Sequence, residues 1–281
     1  MCAAVMNFTI SMRKISGCEM DTVLEVKELT MNFGGLMALG GVELKVERGK
    51  IVALIGPNGA GKTTFFNCIT GIYEPSGGDI FIFPPGKRRR RINGMKTYKI
   101  TELGMARTFQ NIRLFPSMTV LENVMVGRHC RTKAGVISAI FRGKGTQEEE
   151  KNIVRKSYEI LKKIGLADTV NQLAGNLPYG DQRRLEIARA MATEPFLLLL
   201  DEPAAGMNHQ ETKELETLIR RICFEDGISI LLIEHDMKLV MSLSDHIYVM
   251  DYGEKIAEGT PAKVRQNPVV VSAYLGEDID A

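Results

Sequence analysis

The pattern of apolar and polar positions divides this chain into short strands and amphipathic helices. Phe196 to Leu200 is apolar at every position, and Lys50 to Ile55 and Ile228 to Ile233 are nearly so. Runs of that length read as parallel strands buried on both faces. Val23 to Leu29 and Val42 to Val46 alternate, as half-buried strands do. Gly77-Gly78-Asp79 opens a further strand, Ile80 to Phe83, which Pro84-Pro85-Gly86 ends. His246 to Met250 and Lys255 to Ala257 flank Asp251-Tyr252-Gly253-Glu254, which reads as a hairpin. Helical spacing joins Phe65, Phe66, Ile69 and Thr70. It returns at Ile153, Val154, Ile160, Leu161 and Ile164, with a stop at Gly165. Leu185, Ala188, Met191 and Ala192 form another such face before Pro195, and Leu215, Leu218, Ile219, Ile222 and Cys223 one more before Gly227. Thr119 to Val124 enters a helix, Asp236 to Leu243 is a short one, and a helical tail follows Pro261. Gly135 to Thr146 has no strong period and reads as a short helix or a loop. Strands alternating with helices imply a mainly parallel sheet with helices on both faces. An almost wholly helical block separates its two strand-rich parts.

Between the Lys50–Ile55 strand and the helix beginning at Phe65 stands Gly56-Pro57-Asn58-Gly59-Ala60-Gly61-Lys62-Thr63-Thr64. This is the Walker A pattern in the context it requires, strand then glycine loop then helix. The glycines let successive backbone N–H groups turn inward around a phosphate, and the helix N-terminus adds partial positive charge there. Lys62 is placed to reach the β- and γ-phosphates, and the Thr63 hydroxyl to ligand Mg²⁺. Leu197-Leu198-Leu199-Leu200-Asp201-Glu202 reads as a Walker B strand. Asp201 supplies the oxygen that Mg²⁺ demands. Glu202, one residue on, is placed to orient and deprotonate an attacking water.

Composition changes this picture little. The 281 residues are 44% hydrophobic and 25% charged, with a net charge of +2, which favours neither nucleic acid nor membrane as a partner. The five cysteines are scattered without metal-ligand spacing and read as reduced thiols. No apolar run approaches the roughly 18 residues of a membrane helix. Residues 1–20 lack the order of a signal peptide, because Arg13 and Lys14 follow the apolar part; they read as an unordered tail, or as sequence upstream of a true start at Met20. Lys87 to Arg91 is the densest charge run and reads either as a solvated loop or as a contact for acidic lipid or nucleic acid; no aromatic residue interleaves to favour nucleic acid.

Further motifs carry a resemblance to a family. Leu177-Pro178-Tyr179-Gly180-Asp181-Gln182, directly before a helix, resembles the signature motif of ATP-binding cassette (ABC) ATPases. Gln110 stands at the family's Q-loop position, Ala205-Gly206-Met207-Asn208 at its D-loop, and His235 at its switch histidine. Phe33 matches the aromatic that stacks on adenine, although a core residue there would look the same. The motifs run in the family's order from about Leu24 to Leu275. The resemblance implies an α/β P-loop NTPase with a mainly parallel core sheet, an antiparallel β subdomain and an inserted helical subdomain. Its ATPase domain is expected over 21–258, with the helical subdomain at about 107–180 and a helical tail over 259–281. Gln110, Glu202 and His235 become the expected catalytic groups. Gly56 to Thr64, Phe33, Asp201, Asn208 and Leu177 to Gln182 become the expected nucleotide contacts, and Thr63, Gln110 and Asp201 the Mg²⁺ ligands.

Ala106-Arg107-Thr108-Phe109-Gln110, Thr119 to Val124, Arg183 to Arg189, Asp201 to Gly206 and Ala273-Tyr274-Leu275-Gly276 look like the ATPase subunits of branched-chain amino-acid importers. A segment near 131–150 is similar to the longer, LivG-type ATPase of that system. The resemblance implies ATP and Mg²⁺ as ligands and a second ABC ATPase subunit facing this one head to tail. It also implies two transmembrane permease subunits, a periplasmic solute-binding protein acting indirectly, and a place on the cytoplasmic face of the inner membrane. Within that frame Arg113-Leu114-Phe115 is expected to meet a permease helix. Uptake of urea or amides, lipopolysaccharide export, and a non-transport cassette are the alternatives. One departure stands out: Pro178 occupies the position where the general family has a serine.

Overall fold

The leucines before Asp201 alternate between two cores, and that alternation organises the molecule. In the computed structural model, which describes residues 22–131 and 144–275, they form strand β7 (Leu197–Asp201), buried throughout. Leu198 and Leu200 join the core under the helical part, while Leu197 and Leu199 join the core under the antiparallel sheet. Strand β8 (Ser229–Ile233) divides in the same way, with Ile230 and Leu232 on the helical side and Leu231 and Ile233 on the other.

These strands belong to a six-stranded sheet of order β10-β9-β3-β8-β7-β6. Its other members are β3 (Ile51–Ile55), β6 (Met105–Arg107), β9 (His246–Asp251) and β10 (Glu254–Gly259). All neighbours pair in parallel except β9 and β10, which form the expected hairpin. A four-stranded antiparallel sheet, β2-β1-β4-β5, covers one face. It comprises β1 (Thr22–Phe33), β2 (Leu36–Glu47), β4 (Gly77–Ile82) and β5 (Arg90–Arg91). Helix α1 (Lys62–Ile69) packs between the sheets through Phe65, Phe66 and Ile69, all wholly buried.

Helix α2 (Thr97–Leu103) leads into β6. The helical part contains α3 (Val120–Arg128), α4 (Lys144–Lys163) and α5 (Tyr179–Met191). Thr119 caps α3 with a reciprocal capping box to Glu122. The chain continues through α6 (His209–Phe224), α7 (Met237–Leu243), α8 (Pro261–Arg265) and α9 (Pro268–Leu275).

Some expectations are corrected. Strand β6 is too short for periodicity to reveal, and only its pairing with β7 makes Met105 to Arg107 part of the core sheet. Arg90 and Arg91 lie in an edge strand paired with β4, and Arg91 bonds Asp79. Val154 is exposed on α4, although Leu161 of the same apolar set is wholly buried. The 1–20 tail, residues 132–143 of the 131–150 segment and the end of the 259–281 tail lie outside the described residues.

Candidate active site

The glycine loop leaves β3 and enters α1 through tightly packed backbone. A Cβ added at Gly56 would stand 2.1 Å from the Met250 carbonyl, and one at Gly61, with φ 96°, 2.8 Å from that of Ala38. Glycine is therefore a steric requirement at both positions. Lys62 is folded over the loop, its Nζ donating to the Gly56 and Pro57 carbonyls at 2.7 Å each. Those bonds hold the ammonium at the mouth of the loop with Asn58 and Gly59 exposed beside it. Thr63 is also exposed, and Thr64 is half-buried. Pro57 to Ala60 line one wall of a cavity of about 1060 Å³, closed on the other side by Asp251, Tyr252 and α9.

At the ends of β7 and β8 the three expected catalytic residues form one hydrogen-bonded chain. Gln110 Nε2 donates to Glu202 Oε2 at 2.7 Å, and His235 Nε2 lies 2.7 Å from Glu202 Oε1. Glu202 takes φ 46°, a left-handed conformation that turns its carboxylate out of the strand line. Its main-chain N–H donates to the Ile233 carbonyl, which ties the turn to β8. Glu234, buried beside it, accepts from the main-chain N–H groups of Ala204 and His235. Burial pushes the Glu234 carboxyl above the usual carboxylate range. A carboxylate held between an amide and an imidazole can accept a proton from water and pass it on.

The signature segment starts α5. Pro178 is its N-cap and gives the helix no side-chain cap. The Tyr179 hydroxyl donates to the Ala205 carbonyl at 2.9 Å, and its ring lies against Gly206. Gly180 is seated against Glu211, so an added Cβ would meet Oε1 at 2.9 Å. Gln182 Nε2 donates to the Leu177 carbonyl, and Asp181 pairs with Arg184. Asn208 uses its side-chain oxygen to cap α6, accepting from the N–H groups of Gln210 and Glu211. That oxygen therefore has an occupation within the chain besides the nucleotide contact expected of it.

The family model described as ABC transporter matches residues 39–205, and one described as branched-chain amino acid ATP-binding cassette transporter matches 254–280. The Pseudomonas aeruginosa protein "High-affinity branched-chain amino acid transport ATP-binding protein BraF" is 49% identical over 91% of this chain and 98% of its own length. This chain belongs to the ABC transporter ATP-binding family. The Escherichia coli LivG protein matches at the same identity and coverage. An ATP-binding cassette of an ABC transporter solved in its ADP conformation has a TM-score of 0.78 and 32% identity, covering 91% of this chain and 99% of that one. The cassette binds ATP and is an ATPase.

Two arginines of the cassette have partners that the sequence did not reveal. Arg107 donates from Nη2 to Asp201 Oδ2 at 2.6 Å, and from Nη1 to Asn67 on α1 and to Thr70, the C-cap of that helix. Arg183 is wholly buried, pairs with Glu186 at 2.9 Å, and donates to the main-chain carbonyls of Phe109 and Gln110 at 2.7 Å each. Glu186 in turn accepts from the main-chain N–H groups of Phe109 and Arg113. Beside this pair lies a cavity of about 450 Å³ lined by Phe109, Arg113, Phe115, Glu186 and Arg189, with Phe115 partly exposed at its edge. Phe33 ends β1 partly exposed, its ring edge-to-face with Tyr73 at 5.4 Å. Among the described residues no helix is long and apolar enough to cross a membrane.

Proposed function

We propose that this chain is the ATP-hydrolysing subunit of an importer for branched-chain amino acids. The observation that carries the reading is the Gln110–Glu202–His235 chain at the end of the Walker B strand, in a protein 49% identical to transport ATPases of that name. Glu202 acts as general base, Gln110 orients the attacked phosphate, and His235 holds and stabilises the Glu202 carboxylate. The Gly56–Thr64 backbone and Lys62 hold the β- and γ-phosphates, and Phe33 stacks on adenine. Leu177 to Gln182 and Asn208 face the nucleotide of a second cassette. The cassette spans 21–258, with a helical lobe inserted at about 107–180.

Thr63, Asp201 and Gln110 offer oxygen donors suited to Mg²⁺. Among the described residues no group of three or more His, Cys, Asp or Glu side chains could hold a metal alone. That set suits an ion carried in on nucleotide phosphates. When bound, Mg²⁺ supplies neutralisation of the phosphate oxygens as charge shifts to the leaving group.

Two cassettes close head to tail on ATP and reopen after hydrolysis. The second is a sister ATPase, and the motion passes to two permease subunits at the cytoplasmic face of the inner membrane. The Phe115 groove receives a permease helix, and a periplasmic binding protein delivers the solute. The test is co-expression with candidate permease subunits and reconstitution in vesicles with a solute-binding protein. Leucine-stimulated ATP hydrolysis and leucine uptake are expected; urea-stimulated hydrolysis without a leucine response overturns the reading. Phe115→Ala is expected to weaken assembly while ATP affinity of the isolated subunit holds, and a loss of ATP affinity alone would exclude the docking role.

A further inference from the structure

The Arg107–Asp201 contact joins two parts of the site that reach it by different routes. Asp201 ends the β7 strand and Arg107 ends β6, 94 positions earlier, and both side chains are over nine-tenths buried. One guanidinium nitrogen binds Asp201 Oδ2 at 2.6 Å; the other binds Asn67 Oδ1 at 2.8 Å and Thr70 Oγ1 at 3.2 Å. Those two residues lie at the far end of the helix whose first turn carries Lys62 and Thr63. The guanidinium also lies 5.3 Å from the Phe66 ring centroid and 5.4 Å from that of Phe109, next to Gln110. It is thereby fixed by three elements, with its charge directed at one carboxylate oxygen.

We propose that Arg107 is a positioning residue that makes nucleotide binding tolerant of missing Mg²⁺. This rests on the reading of Asp201 as the acid facing the phosphate-bound ion. A buried carboxylate near polyanionic phosphates is repulsive unless a cation offsets it. With Mg²⁺ bound, the ion does this. Without it, the Arg107 guanidinium still lies 2.6 Å from Asp201 Oδ2 and supplies positive charge there. Arg107 also fixes Oδ2, and with it the rotation of the Asp201 carboxylate. Its removal therefore penalises metal-free nucleotide most.

The test is titration of the full chain with a fluorescent ATP analogue, once in EDTA and once in excess Mg²⁺, to obtain the ratio of the two dissociation constants. Arg107→Met keeps the apolar stem between Phe66 and Phe109 and removes the charge. It is expected to widen the ratio by about tenfold, the scale of one lost charge contact in a partly screened site. Arg107→Lys is expected to keep the ratio near that of the parent. In Arg107→Met combined with Asp201→Asn, the ratio is expected to fall back to that of Asp201→Asn alone. Equal weakening under both conditions, or a widened ratio that persists in the double variant, overturns the role given to Arg107. Asp201→Asn with unchanged metal dependence instead overturns the reading of Asp201 on which this rests. If Arg107→Met does not fold, the lysine variant and the charge-neutral double variant still decide: a lysine ratio as wide as tenfold, or a double variant wider than Asp201→Asn, overturns the role.

Discussion

Gln110 is gripped from two sides, and the two grips differ in kind. Its side chain reaches Glu202 in a chain that continues to His235, where the imidazole is about half exposed. Its main-chain carbonyl is held by Arg183, which is wholly buried and paired with an equally buried Glu186. The exposed grip can be broken and remade as a nucleotide enters, because water can replace either partner. The buried grip has no such substitute: a lone carboxylate or guanidinium there would be stranded. On the proposed roles, chemistry falls on the adjustable side and geometry on the fixed side. The signature helix α5 holds the Q-loop backbone in register while the Q-loop side chain stays exchangeable.

The largest expected effect breaks the fixed side. Arg183→Met leaves Glu186 buried without its cation and is expected to cost about 3–5 kcal/mol of stability in urea unfolding. Replacing both members of the pair by apolar residues is expected to recover most of that loss. A single variant within about 0.5 kcal/mol of the parent, the range of ordinary surface substitutions, would show that the pair does not hold the Q-loop.

Next comes the adjustable side. Glu202→Gln preserves shape and removes the proposed base, so ATP binding is expected to persist while turnover falls by about 10²-fold or more. Folding stability is expected to change little, in contrast to Arg183→Met. Near-parental turnover in the assembled complex would remove Glu202 from the role of base.

The same contrast explains what was legible from sequence. Gly56 to Thr64, Asp201 and Glu202 announce themselves because their chemistry is local, a loop between a strand and a helix or acids at a strand end. Gln110 and His235 needed the family's order of motifs as well, since a lone glutamine or histidine signals nothing by itself. Arg107 and Arg183 stayed hidden because each finds a partner more than 70 positions away. An arginine on an amphipathic helix ordinarily reads as surface. Strand β6 escaped for a related reason: three residues define no period, and only pairing with β7 makes them a strand.

A smaller effect probes the D-loop. Asn208 caps α6 through its own side chain and shares a capping box with Glu211. Asn208→Ala is expected to cost about 1 kcal/mol of stability, whatever the nucleotide state. A cost that appears only in ATP-driven closure would place Asn208 with the exchangeable groups instead.

The smallest expected effect concerns Pro178, where the two kinds of grip compete for one hydroxyl. Pro178 caps α5 by backbone alone, its carbonyl accepting from the Gln182 N–H at 3.0 Å. A serine there would bring a hydroxyl able to donate to the phosphate of the facing cassette, a contact worth about 1.5–3 kcal/mol in good geometry. The same oxygen could instead accept from the N–H of Gly180 or Asp181, as N-cap serines do, for about 1 kcal/mol. Losing the proline also restores freedom to the unfolded and open states, at a cost of about 0.4–1 kcal/mol. The net gain in closure is then roughly 0.5 kcal/mol, or about twofold, against the RT of about 0.6 kcal/mol that sets the scale. Cross-linking of the assembled pair as a function of ATP measures closure, and thermal unfolding of the isolated chain measures the cap. Pro178→Ser is expected to tighten closure slightly with little change in unfolding temperature. A rise in unfolding temperature with unchanged closure would mean that the hydroxyl serves its own helix, and that the signature segment belongs with the fixed side of the molecule.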